Sequence, residues 1–316
     1  MSPVNLRKEL KSSIRSQFST RRQYKGVPTS SESADEAGRP PSNQQQRRLD
    51  PARLRRLLSA AGMRLDTRFQ SQVASTQDVV LSAIAGGIGE GLVVFADHQE
   101  AGRGRAGRRW VAPAGTSLMF SLLWRPPSLA EGSGSLALAA GLAVAEGIEG
   151  VGGPPVQLKW PNDCMVSGQK VAGLLMEGTS QGPPGLALGV GCNVAWSSLP
   201  EALRPGPGAT ALDLHGAPVD FTELAASLLL SLERRYRQWR TGGFAPMREL
   251  WQDRMAWMGR EVEVSLPGRR LSGLLVGVAA DGTLRLEQGG QETRVAAGDL
   301  AKLPGGSLRL TAAGSS

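Results

Sequence analysis

Cysteine and histidine are scarce: the 316 residues contain two of each. Cys164 and Cys192 form no C-x-x-C pair, and with His98 and His215 they are too few and too scattered for a zinc site. No protein-bound metal is therefore expected, and a histidine-dependent nucleophile would have to use one of these two residues. Unpaired thiols suit a reducing compartment, and no signal-peptide core is visible, so the expected location is cytoplasmic. Long apolar runs are also missing. The longest strongly apolar stretch, 133–145, is interrupted by Gly141 and bounded by Glu131 and Glu146. It falls well short of the roughly 18 residues that a membrane span needs.

Positive charge is present but unevenly placed. Of the net charge of +8, more than half comes from residues 1–50, which hold ten Lys or Arg against five acids. The rest of the chain is only mildly cationic, so overall basicity does not argue for nucleic acid. Residues 1–49, rich in Ser, Arg, Gln and Pro without apolar periodicity, read as a disordered basic tail. Glu9, Glu32, Asp35 and Glu36 speak against an organellar transit peptide, which is acid-poor. A helix-turn-helix would need two amphipathic helices, and the tail offers at most one, at 5–18.

Order is expected from Asp50-Pro51, an N-cap followed by proline at the first helical position, with Leu54, Leu57 and Leu58 on one face. Strands are read at 69–74, 92–96, 117–124 and 156–159, and a hairpin at 170–177 and 186–190. Ser75 is placed to cap a helix, with Asp78 where a capping box closes. Further helices are expected at 136–148, 221–239 and 245–257. After Gly259 the pattern alternates with period two over 261–266, 271–278, 284–288 and 293–296, between turns at Pro267-Gly268, Asp281-Gly282 and Gly289-Gly290. The expected fold is α+β: a mixed-sheet domain over 50–258, a small SH3-like β-barrel over 259–304, and a tail over 305–316.

Three motifs carry chemistry. Gly102-Arg103-Gly104-Arg105-Ala106-Gly107-Arg108-Arg109-Trp110 contains G-x-G-x-x-G, but a dinucleotide fingerprint must lie directly between a strand and a helix. Here residues 97–101 intervene and a strand follows. Glycines give backbone freedom and the arginines give planar, bidentate anion donors, which suits a lid closing over phosphates. A solvated basic turn is the plainer alternative, but this segment occurs once, between two strong strands. Lys159-Trp160-Pro161-Asn162-Asp163 is good turn chemistry in any protein. Lys170-Val171-Ala172-Gly173-Leu174-Leu175 opens an apolar strand with a lysine able to meet a carboxylate. Gly189-Val190-Gly191-Cys192-Asn193-Val194 is a glycine-rich strand end, fit equally for a β-bulge or for close approach of a ligand. In this order the motifs describe a site that activates a carboxylic acid with a nucleotide.

Together these residues resemble the biotin protein ligases. That family has a Ser-Thr-Asn helix start, a Gln before a G-R-G-R-x-G-R-x-W loop, a K-W-P-N-D turn, a K-x-x-G-[IL]-L strand and a G-[IV]-G-x-N-[VI] strand. The chain supplies Ser75-Thr76, Gln99 and the motifs above, with Gln77 in place of the usual Asn. The resemblance runs from about residue 69 to about residue 302. It implies that 50–258 is catalytic and that the reaction has two steps. Biotin and ATP, the latter with Mg2+, give biotinyl-5′-AMP; a lysine of a biotin carboxyl carrier domain then displaces AMP. It also implies that Ser75, Thr76, Gln77, Gln99, Arg103, Gly104, Arg105, Lys170 and Gly173 bind biotin. Arg103, Arg105, Arg108, Trp110, Lys159, Asn162, Lys170 and Asn193 would bind ATP and the adenylate. Lys170, Arg105 and Asp163 would be catalytic, with Asp163 aiding the incoming lysine.

Homodimers are common in the family, and nothing in the sequence decides that point. The tail does not resemble the DNA-binding domain of the family's repressor members, so a monofunctional enzyme acting without nucleic acid or membrane is expected. The alternatives are a biotin-responsive nucleic-acid-binding regulator, a non-catalytic biotin-binding scaffold, and a lipoate-type acyl ligase, the weakest of these because lipoate ligases lack such an arginine loop.

Overall fold

The computed structural model describes residues 48–127, 133–179, 181–204, 206, 208–216 and 219–303. The expected tails, apart from Arg48 and Leu49, and the helix read at 5–18 lie outside the described residues. Helix α1 (Pro51–Ala60) starts as expected: the Asp50 carboxylate accepts from Arg53 N at 2.9 Å, with Pro51 at the first helical position. Loss of such a cap typically costs about 1 kcal/mol, so Asp50→Ala should lower the unfolding free energy by about that amount, seen as a lower urea midpoint at unchanged slope.

The main sheet is built from β1 (Asp66–Val73), β2 (Leu92–Gln99), β3 (Ser117–Trp124), β4 (Gln157–Lys159), β5 (Asp163–Val166), β6 (Gln169–Gly178) and β7 (Leu186–Asn193). Their spatial order is β1-β2-β3-β7-β6-β5-β4. β1 and β2 run parallel and every other pair is antiparallel, so the sheet is mixed, as the α+β reading expected. β3 is buried along its whole length because both faces are covered. Leu118, Phe120, Leu122 and Trp124 pack in the large core with helices α3 (Ser133–Gly150) and α4 (Phe221–Gly242). On the other face Leu123 meets Val80 and Ile84 of α2 (Thr76–Ala85). α3 and α4 approach closely at Gly147, where a Cβ would lie 2.7 Å from the Leu228 side chain. Among the described residues no helix is long and apolar enough to cross a membrane.

The helix expected at 245–257 is a correction. It is only a 3-10 turn, Ala245–Met247, followed by α5 (Arg248–Gln252). The chain then turns out to pair with the sheet edge: Leu158 N donates to Arg254 O at 2.7 Å and Ala256 N to Leu158 O at 2.9 Å. Satisfying the open edge of β4 outweighs the local helical pattern.

The C-terminal strands β8 (Glu261–Leu266), β9 (Arg269–Val278), β10 (Leu284–Gln288), β11 (Gln291–Val295) and β12 (Asp299–Lys302) form a separate antiparallel sheet, order β11-β10-β9-β8-β12. β5 and β12 are short and escape the sequence pattern. The two sheets are joined at Trp160, which precedes a cis Pro161, is buried, and donates from Nε1 to Gly282 O at 3.0 Å.

Candidate functional site

Three segments converge beside the face of β3 that meets α2. The first is the start of that helix. Ser75 caps it, its hydroxyl accepting from Gln77 N at 3.2 Å, which sets the buried Thr76 and Gln77 against the sheet. Thr76 N donates to Gln99 Oε1 at the end of β2 (2.8 Å), and the Thr76 hydroxyl lies 2.8 Å from Ser121 Oγ. The Gln77 amide nitrogen donates to Ala187 O (2.9 Å) and Leu175 O (3.3 Å). The result is a neutral polar recess. Asp78, read as the closing residue of a capping box, holds Arg103 at 2.7 Å.

The second segment is the glycine–arginine loop. Gly104 N donates to Arg108 O (2.7 Å) and Trp110 N to Gly102 O (2.9 Å), making a small hairpin. Its tip is a 3-10 turn where Ala106 and Gly107 take φ of 54° and 72°, a region natural to Gly107 and costly for Ala106. The arginines fan out to separate partners. Arg103 bridges Asp78 and Glu177, the latter at 3.1 Å. Arg105 reaches Asn162 Oδ1 at 3.2 Å, and Arg108 pairs with Asp299 of β12 at 2.8 Å.

The third segment is the β4–β6 region. The Asn162 side chain donates to Leu174 O at 2.6 Å while its oxygen holds Arg105, so a turn residue aims a lid residue. Lys170 Nζ lies 2.7 Å from Asp163 Oδ1 and 5.6 Å from the centre of the Trp110 ring. The Lys170 backbone is clamped on both sides: Lys170 N donates to Gly208 O at 2.8 Å and Thr210 N to Lys170 O at 2.9 Å. Gly173 and Gly191 leave room on the sheet for these groups. A Cβ on Gly173 would sit 2.7 Å from Lys170 Nζ, and one on Gly191 2.5 Å from the Trp110 ring.

At the far end of the site Arg105, Arg108, Lys159 and Lys170 gather around two carboxylates, Asp163 and Asp299, which leaves an excess of positive charge. Burial lowers the Arg105 guanidinium below its ordinary value, an effect that Asp299 partly offsets. Burial also lowers Lys159, with Asp163 opposing and Lys170 adding to the shift. Concentrated, partly desolvated positive charge of this kind attracts phosphate and carboxylate. Among the described residues no group of His, Cys, Asp and Glu is placed to hold a metal ion.

One cavity is lined by Ser75, Thr76, Gln77, Gln99, Arg103, Gly104, Arg105, Arg108, Trp110, Asn162, Lys170 and Gly173, all read from the sequence as site residues. Three others are not on its wall. Asp163 pairs with Lys170. Lys159 lies 5.4 Å from the centre of the Trp257 ring. The Asn193 amide is held between Ser117 Oγ (3.1 Å) and Thr210 O (3.0 Å), and so braces the loop that clamps Lys170. The sequence reading missed Ser121, Glu177 and Asp299. Ser121 had a signal, as a hydroxyl flanked on both sides by apolar residues in the middle of a strand. Asp299 had none, since its tie to Arg108 spans 191 residues of chain.

The Biotin/lipoate A/B protein ligase family matches residues 69–194. A biotin–[acetyl-CoA-carboxylase] ligase of Mycobacterium tuberculosis is 37% identical over 81% of this chain and 96% of its own length. One from Paracoccus denitrificans is 35% identical over 64% and 87% respectively. The bifunctional ligase/repressor BirA of Escherichia coli is 31% identical over 69% and 68%. Among solved structures, a biotin protein ligase of Aquifex aeolicus in complex with biotin and ATP superposes with a TM-score of 0.65 at 28% identity, covering 75% of this chain and 97% of that one.

Proposed function

This chain belongs to the biotin protein ligase family, and from that premise we propose how its own residues divide the work. The enzyme joins biotin to ATP and passes the biotinyl group to a lysine of a carrier domain. The observation that carries the assignment is one continuous cavity, whose neutral recess at Ser75, Thr76, Gln77 and Gln99 runs into a cationic end at Arg105, Arg108 and Lys170.

In the first step a biotin carboxylate oxygen attacks the α-phosphorus of ATP, and the bond to the pyrophosphate oxygen breaks. Two anions must meet, so Lys170 lies between them and neutralises both. Arg105, aimed by Asn162, and Arg108 stabilise the charge that moves to the departing pyrophosphate, with Lys159 adding to the field. Mg2+ would be supplied with ATP as part of the nucleotide substrate. The arginine hairpin covers the mixed anhydride, which water would otherwise hydrolyse. Trp110 supplies a flat apolar face beside Gly191 and Gly173 for the nucleoside.

In the second step the uncharged ε-amine of a carrier lysine attacks the anhydride carbonyl. AMP leaves with the bonding pair, and the amine proton passes to Asp163. The carrier is the biotin carboxyl carrier domain of a biotin-dependent carboxylase. The reducing cytoplasm suits two free, wholly buried thiols.

Purified protein with no carrier should exchange pyrophosphate into ATP only when biotin is present. Lipoate should not replace biotin, because a dithiolane offers nothing to the polar recess. Exchange supported equally by lipoate, or independent of biotin, would overturn the assignment.

A further inference from the structure

Ser121 takes no part in the chemistry above, yet it is wholly buried at the centre of β3 and touches two residues of the recess. Its surroundings determine where every proton lies. Gln77 Nε2 is 2.9 Å from Ala187 O and 3.3 Å from Leu175 O. Both neighbours only accept, so the amide cannot be turned round without setting oxygen against oxygen. Gln77 Oε1 therefore faces Ser121 Oγ at 2.9 Å and must receive the Ser121 proton. With that proton committed, the 2.8 Å contact between Thr76 Oγ1 and Ser121 Oγ can only be a donation from threonine to serine. The approach of Thr76 Oγ1 to Gln99 Oε1 is longer, 3.2 Å, and that oxygen is already served by Thr76 N at 2.8 Å. The Thr76 hydroxyl is left with lone pairs alone. Ser75 is the opposite case: its oxygen accepts from Gln77 N, which leaves its own proton to give.

We infer that Gln77 and Ser121 are positioning residues that fix the polarity of the recess, so that Thr76 accepts where Ser75 donates and the site selects a cyclic urea, which presents an N–H beside a C=O. The inference rests on the ligase reading and extends it from the substrate to what discriminates that substrate. Gly189 belongs to the same device: it lies opposite Ser121 in the sheet, and a Cβ there would come within 2.8 Å of Gln77 Oε1. The longer glutamine in place of asparagine can reach two strand carbonyls and still meet Ser121.

The test uses the full chain in the exchange assay, with biotin and with each of its two carbamate analogues, in which one ureido N–H is replaced by oxygen. The wild type should reject the disfavoured analogue by at least about a hundredfold in kcat/KM, because two acceptors would face each other at Thr76. Ser121→Ala frees the threonine hydroxyl to turn and donate, so that ratio should fall about tenfold while KM for ATP stays within about twofold. Ser121→Thr, which keeps the hydroxyl, should retain the wild-type ratio. A ratio unchanged in Ser121→Ala, with biotin exchange intact, overturns the relay and leaves the ligase reading standing. Absence of biotin-dependent exchange in the wild type overturns both.

Discussion

Lys170→Gln is expected to lower biotin-dependent pyrophosphate exchange by about two to three orders of magnitude. Charges about 4 Å apart at an effective dielectric near 20 interact by about 4 kcal/mol, and desolvation removes part of this. The remaining 3 kcal/mol or so is a factor of roughly a hundred or more in rate. The neutral amide keeps a hydrogen bond for Asp163 and most of the volume, so folding should suffer little. Lys170 and Asp163 are both only partly exposed, at 32% and 17%, so an uncompensated Asp163 is the main risk to stability. The double variant Lys170→Gln/Asp163→Asn removes that risk. It should unfold at the wild-type temperature and remain as inactive in exchange as the single variant. A single variant that kept more than a tenth of wild-type exchange would remove Lys170 from the catalytic set.

Gly191→Ala is expected to cost about a hundredfold in kcat/KM for ATP. The new methyl would lie 2.5 to 2.9 Å from three atoms of the Trp110 ring, a separation that a rigid indole cannot absorb by rotating a flexible end. Trp110 closes the arginine hairpin through its bond to Gly102 O, so displacing it moves the lid as well as the nucleoside face. Overpacking of this kind costs about 1–3 kcal/mol, visible as a lowered melting temperature. The steric origin can be checked directly: Gly191→Ala/Trp110→Leu should lose less activity relative to Trp110→Leu alone than Gly191→Ala loses relative to wild type. An additive loss would mean that the methyl acts elsewhere.

The site was legible in unequal parts. The cap at Ser75, the arginine loop and the lysine opening β6 announce themselves because each needs a particular residue type at a fixed local spacing. That Asn162 serves to aim Arg105 is hidden in what looks like an ordinary turn, because the Leu174 carbonyl that fixes its amide comes from another strand. The glycines of β7 were read as a bulge or a ligand approach. At Gly191 the space is taken by Trp110 of the same chain, a contact between segments 81 residues apart that no local pattern encodes. The helix expected at 245–257 followed from periodicity, and it yields where the β4 edge needs partners.

The sequence by itself determined the parts: apolar strands before two apolar helices and period-two strands after them, a capped helix bearing Ser75 and Thr76, and a single arginine-loaded loop between strong strands. Local sterics and short-range hydrogen bonding suffice for these, so they can be read along the chain. Only the tertiary structure decided which groups share a cavity, that Asp163 pairs with Lys170 while Asn193 braces the segment at Thr210, and that a carboxylate from the second sheet meets the lid. Those outcomes depend on charges and donors brought together across the fold. Their energies exist only once burial has removed the water that would otherwise satisfy each group alone.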